Sequence, residues 1–182
     1  MPDLRSSADA TVMRLIDAGH TAYFAGGCVR DILLGLEPKD YDIATSATPD
    51  EVQALFPRSD AIGAHFGVIL VKEDGIAFEI ATSRHDGSYK DGRHPESVSF
   101  ATPEDDASRR DFTVNGIFQD PQSGEIIDFV NGEKDLMDKR LRAIGNPAER
   151  FQEDALRLMR AIRFATVLGF EIEPKTWSAI CD

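Results

Sequence analysis

A chain of 182 residues suits one domain, or one domain and the beginning of another, and is long enough to bury a real core. Its net charge of −12, from 32 acidic against 20 basic side chains, argues against an extended nucleic-acid footprint made by this chain alone, because phosphate contacts need clustered Lys and Arg; DNA is not an expected partner. Cys28 and Cys181 are too few for a disulfide framework or a zinc motif, no apolar run reaches the roughly 20 residues that span a bilayer, and the N-terminus lacks a signal-peptide pattern, so a cytoplasmic protein with no membrane partner is expected.

Ala10, Val12, Met13, Leu15 and Ile16 form a helical stripe within Ala8 to Ala18, which Gly19 stops. A strand over Ala22 to Ala25, a Gly26-Gly27 turn and a short helix from Val29 to Leu34 follow. Bare backbone N–H groups at such a turn favour phosphate. Next comes Lys39-Asp40-Tyr41-Asp42-Ile43. If Asp40 to Ile43 is extended, both carboxylates project from one face of the strand. Two charges about 6 Å apart repel by roughly 3 kcal/mol at an effective dielectric of 20, and Mg²⁺ bridging them to a triphosphate converts that cost into binding. Asp-x-Asp alone is common in loops and caps, and Gly-Gly matches neither the Walker nor the dinucleotide pattern. Taken together with Arg30-Asp31 and Leu34-Gly35-x-x-Pro38-Lys39-Asp40-x-Asp42, they resemble the head domain of the tRNA nucleotidyltransferase and bacterial poly(A) polymerase family.

Thr48-Pro49-Asp50-Glu51 is a capping box with Pro at the first helical position. Val68 to Val71 and Ile76 to Ala81 form a hairpin turning at Asp74-Gly75. In its second strand Phe78 and Ile80 share one face and Ala77, Glu79 and Ala81 the other. An exposed acid on a solvated face would look the same. The stretch Phe78 to Arg84 resembles the family segment that bears the third active-site carboxylate, which implies that role for Glu79. Gly63-x-x-Phe66-Gly67-Val68 resembles the tRNA enzymes of the family.

From His85 to Ser108 the chain reads as one long polar loop, a length that is usually functional. Its Tyr89, Asp91, Arg93 and Pro95 resemble the mobile loop used when the incoming base changes from C to A. Arg109-Arg110-Asp111-Phe112-Thr113-Val114-Asn115-Gly116 resembles the family's second motif, implying that Arg110 meets triphosphate and Asp111 the sugar, with Asn115 part of the nucleotide site. A surface ion-pair cluster would also contain such residues. A hairpin over Gly116 to Val130, a helix from Lys134 to Lys139 and a strand from Leu141 to Ile144 follow.

Asn146-Pro147 opens one helix running to Gly169, with Phe151, Ala155, Leu158, Ile162, Ala165 and Leu168 as its apolar stripe. Near its start Glu153-Asp154-x-x-Arg157-x-x-Arg160 makes an ion-pair ladder, or, by resemblance, the motif whose carboxylate and guanidinium select C or A without a template. Glu173 to Trp177 opens a further helix, with Trp177 and Ile180 lacking a partner.

The expected architecture is α+β: residues 1–145 form a polymerase β-like nucleotidyltransferase head with a mixed, mainly antiparallel sheet, and residues 146–182 begin a helical neck. The resemblance implies an enzyme adding C and A to the tRNA 3′ end from CTP and ATP. Asp40 and Asp42 would hold Mg²⁺, Glu79 would assist, and Gly26, Gly27 and Arg30 would cradle phosphates. Arg110, Asp111, Asn115, Asp154, Arg157 and Arg160 would bind the nucleotide, with parts beyond this chain gripping tRNA. An A-only or poly(A) product, or a noncatalytic nucleotide-binding module, are the other readings.

Overall fold

The computed structural model describes residues 3–63, 67–86, 98–100 and 102–181. Tyr89, Asp91, Arg93, Pro95 and Phe66, singled out above, lie outside them. Helix α1 (Leu4–Asp17) starts earlier than its apolar stripe, because the Asp3 carboxylate accepts from Ser6 N and caps it. Strand β1 (Ala22–Ala25) leads through Gly26 into α2 (Gly27–Leu33), then β2 (Asp42–Thr45), α3 (Pro49–Leu55) and β3 (Ser59–Gly63). The hairpin β4 (Val68–Glu73) and β5 (Ile76–Thr82) turns at Asp74 and Gly75, both left-handed at φ 53° and 83°, the geometry a two-residue turn between twisted strands requires.

One correction bears on the site. Asp40 is not on a strand: β2 begins at Asp42, opposite Ala25, where β1 ends and Gly26 turns the chain away, so residues before Asp42 have no partner there. The segment expected as one long polar loop also contains regular elements. It contains β6 (Arg84–Asp86), β7 (Val98–Phe100) and α4 (Pro103–Arg109), whose start is a second capping box at Thr102 and Asp105.

A 3₁₀ turn (Thr113–Asn115), β8 (Ile117–Gln119), β9 (Ile126–Asp128), α5 (Gly132–Met137) and β10 (Arg140–Leu141) follow. The strand expected over Leu141 to Ile144 is shorter, since beyond β10 only an isolated bridge from Ala143 to Phe112 continues it. The single helix expected from Pro147 to Gly169 is two: α6 (Pro147–Glu153) and α7 (Leu156–Leu168). Asp154 is extended (φ −145°, ψ 104°) and its carboxylate accepts from Leu156 N at 2.9 Å, ending one helix and starting the next. The break rotates the second helix, so Ala161 and Phe164 are buried whereas Ala155 and Ile162 are exposed. β11 (Glu171–Ile172) and α8 (Pro174–Cys181) complete the described chain. Ile180, expected to lack a partner, packs against the core, while Trp177 is half exposed.

The main sheet runs β3-β4-β5-β2-β1-β8-β9, with β2 and β5 parallel and every other pair antiparallel, as the expected mixed, mainly antiparallel sheet requires. One face packs Phe24, Ile43, Ile69, Phe78 and Ile80 with Val12, Leu15 and Val52 from α1 and α3 into the main core. A smaller cluster, Ala25, Ala44, Ala107 and Phe118, forms separately under α4. Among the described residues no helix is long and apolar enough to cross a membrane.

Candidate active site

A cavity of about 520 Å³ opens where the end of β1, the start of β2, the segment after α4 and the first turns of α7 meet. Gly26, Gly27 and Arg30 form one wall, Asp40 and Asp42 the floor, Arg109, Arg110, Asp111 and Asn115 a second wall, and Asp154, Arg157, Arg160, Arg163 and Phe164 the third. Eleven of the twelve sequence-expected residues therefore line one space. Glu79 does not, although it stands next to Asp42, one step before the Ile43–Ile80 pair of the β2–β5 register, with its side chain exposed.

The Gly-Gly turn is dictated by what passes over it. Gly26 has φ +75°, and a Cβ there would come within 2.8 Å of Arg110 Nη1, so only glycine lets that guanidinium lie across the turn. No side chain caps α2, which leaves the amides of its first turn facing the cavity mouth. A hydrogen-bonded chain then crosses the site. Arg30 is fixed by Asp31 at 2.7 Å and donates to Asn115 Oδ1 at 2.7 Å. Asn115 Nδ2 donates to Asp111 Oδ1 at 3.1 Å, and Arg160 Nη2 meets Asp111 Oδ2 at 2.7 Å. Arg30, Arg160 and Arg163 all place their guanidinium carbons 5.1–5.4 Å from the Phe164 ring centroid, so one aromatic surface backs three cations.

Arg109 and Arg110 share Asp106, which is fully buried: Oδ1 accepts from Arg109 Nε at 2.9 Å and Oδ2 from Arg110 Nη2 at 3.0 Å. Burial works to raise the Asp106 pKa, but the two guanidiniums outweigh it and hold the carboxyl below the usual range. Sequence reading took Asp106 for part of a loop. The Thr102-Pro103-x-Asp105 capping pattern, the same in form as the one recognised at Thr48, places it on a helix three and four residues before the arginines. Arg163 and Phe164 were also missed as site residues, and nothing in their spacing distinguishes them from an ordinary helix face.

The floor has the opposite electrostatics. Burial, then Glu79, then Asp40 push the Asp42 carboxyl up to about 6, against the pull of Arg110. Among the described residues no three His, Cys, Asp or Glu side chains cluster as a protein-only metal site. The residues there that could hold a divalent cation are the two carboxylates Asp40 and Asp42, which line the same cavity as the Gly26–Gly27 turn. Of the helical ion-pair ladder, the Glu153–Arg157 rung forms at 2.7 Å, whereas Asp154 caps α7 instead of pairing with Arg157; both Asp154 and Arg157 line the cavity.

A family model for the poly A polymerase head domain matches residues 22–142. The chain belongs to that family. This head-domain segment is 48% identical over 167 residues, 91% of the chain, to a CCA-adding enzyme of Bacillus pumilus, covering 42% of that protein. Among solved structures it is similar to the Bacillus stearothermophilus CCA-adding enzyme in complex with CTP, with TM-score 0.88, 40% identity, and coverage of 98% of this chain and 43% of that one. A tRNA nucleotidyltransferase complexed with a primer tRNA and an incoming ATP analog matches with TM-score 0.75 and 32% identity, covering 93% of this chain and 48% of that one. The chain thus spans a little under half the length of these relatives.

Proposed function

We propose that this chain carries the nucleotidyl-transfer site of a template-independent enzyme that adds C and A to the tRNA 3′ end from CTP and ATP. Residues 1–145 make the head and residues 146–182 the first part of a helical neck. The observation that carries the reading is the joining, in one cavity, of Asp40 and Asp42 with the Gly26–Gly27 turn and six arginines. A basic wall in a chain of net charge −12 has no structural need to face two carboxylates; a triphosphate with its cation needs both.

In this reading Asp40 and Asp42 hold Mg²⁺, with Glu79 as outer support. The cation supplies charge neutralisation at the triphosphate and eases deprotonation of the acceptor 3′-hydroxyl. The Gly26 and Gly27 backbone, Arg30 and Arg110 orient the phosphates; Asp111, held by Asn115 and Arg160, accepts from the sugar. Asp154 and Arg157 present an acceptor and a donor edge to the base. Little covalent chemistry is asked of the side chains, since phosphoryl transfer rests on positioning and charge stabilisation. Sequence similarity to CCA-adding enzymes supports C and A as the added nucleotides, and a cytoplasmic enzyme is part of the same reading.

The test is incubation of the protein with Mg²⁺, labelled CTP or ATP, and tRNA ending before, within or just short of CCA, alongside Asp42→Ala. Ordered addition of C, C and A that requires Mg²⁺ and is lost in the variant is expected. Addition of A alone would replace this reading with an A-adding or poly(A) enzyme; nucleotide binding without incorporation in any arm would mean a nucleotide site without a tRNA grip in this chain, and no nucleotide binding would overturn the enzyme reading.

A further inference from the structure

The backbone carbonyl of Arg109, at the head of the Arg110–Asp111 segment, accepts from two guanidiniums that arrive from different helices. Arg150 Nη1 of α6 donates to it at 3.3 Å and Arg157 Nη2 of α7 at 3.1 Å. A carbonyl oxygen has two lone pairs, and these donors match them. Two cations on one oxygen repel, and Glu153 offsets this: its Oε2 lies 3.1 Å from Arg150 Nη1 and 2.7 Å from Arg157 Nη1. Arg157 Nη1 also donates to Arg150 O at 3.1 Å, so the two arginines are tied backbone to side chain as well. Arg157 is left with Nε and one hydrogen of Nη2 for anything in the cavity it lines.

Arg150 itself does not line the cavity. Its Nε is buried with no hydrogen-bond partner among the described residues. An orphaned buried donor costs free energy. A side chain that filled this space only for packing would not need that N–H, so its retention follows from where the other end of the guanidinium is required.

We infer that Arg150 is a positioning residue for base selection: through the Arg109 carbonyl and Glu153 it fixes the guanidinium of Arg157 and couples the phosphate-facing segment to the base-facing helix. The inference rests on the reading of Asp154 and Arg157 as the base-selecting pair. Removing the Arg150 side chain leaves Arg157 its bonds to Glu153, Arg150 O and Arg109 O but releases Glu153 and the Arg109 carbonyl from the α6 guanidinium that fixes them, so Arg157 shifts with its anchors, and the nucleotide site keeps its grip on phosphate while losing its choice of base.

Equilibrium titration of CTP, UTP and inorganic tripolyphosphate, each with Mg²⁺, onto the wild type, Arg150→Ala, Arg157→Ala and the double variant tests this. The expected result is preference of the wild type for CTP over UTP, a roughly tenfold loss of that preference in Arg150→Ala at unchanged tripolyphosphate affinity, and no further loss on adding Arg150→Ala to Arg157→Ala. Arg150→Lys, which keeps a donor for the Arg109 carbonyl, should restore part of the preference, and it carries the same test should Arg150→Ala fail to fold. Preference intact in Arg150→Ala, all three ligands weakened alike, or effects that simply add in the double variant would each overturn the inference. A wild type that binds nucleotides without preferring CTP would instead overturn the reading of the base-selecting pair on which it stands.

Discussion

Asp42→Asn should make the metal-free protein more stable, and only at neutral and alkaline pH. In the folded chain burial and the charges of Glu79 and Asp40 raise the Asp42 pKa from 3.8 to about 6. The folded state therefore holds a proton through an interval in which the unfolded state has released it, and stability falls as pH rises from about 4 to about 6. At 1.36 kcal/mol per pKa unit, the ionised carboxylate costs up to about 3 kcal/mol above that interval. Asparagine keeps the shape and removes the charge. For a chain of this size the gain corresponds to roughly 5–10 °C in Tm. Urea unfolding of wild type and variant from pH 4 to pH 8 with EDTA present should give curves that converge at the acid end, separate through about pH 4 to 6 and run parallel above. Equal stabilities at pH 8, or a difference that persists unchanged at pH 4, would refute the electrostatic account of the floor.

Asp106→Asn should behave oppositely: burial alone would raise this acid, but Arg110 and Arg109 lower it, so its contribution is present above the unfolded pKa and disappears as pH falls through the folded one. A loss of about 3 kcal/mol at pH 7 is expected from leaving two guanidiniums without their buried partner, and denaturant melts from pH 7 downward should show it shrinking as the pH falls below the unfolded-state pKa. Gly26→Ala meets both a positive φ and the Arg110 tip at 2.8 Å, so a loss of about 1–2 kcal/mol in thermal unfolding and weaker CTP binding by calorimetry should appear together.

Local signals carried the readable part of the fold. The Thr48 capping box, the Asp74-Gly75 turn and the Phe78/Ile80 alternation each encode their element in a few residues, and all three formed as expected. What failed was set by partners distant in sequence. Asp40 lacks a ladder because β1 ends at Ala25, and β3 exists because β4 supplies its edge, with no alternating run of its own to announce it. The α6–α7 break was hidden because Glu153 and Asp154 fit an uninterrupted helix by propensity, whereas the Asp154 carboxylate in fact bonds Leu156 N. For the site, motifs identified what lines the cavity; the acceptor that Arg109 and Arg110 share at Asp106 is local and follows from the Thr102 capping box, whereas the clip on the Arg109 carbonyl appears only once α4, α6 and α7 are brought together.

The two edges of β1 are covered by strands made at very different times. β2 pairs with it within a short loop of chain, from Ala22 opposite Thr45 to Ala25 opposite Asp42, whereas β8 pairs Phe24 with Gln119 and Ala25 with Phe118. On a ribosome working at roughly 5–20 residues per second, Gln119 follows Thr45 by about 4–15 s, and for that time the strand that ends in the Gly-Gly turn has an open, apolar edge. Early folding of the nascent chain can complete the β1–β2 pair across α2, yet the phosphate cradle forms only when the late strand docks. Ligand protection of nascent chains should therefore begin abruptly, after the β8 segment has emerged, instead of growing with length.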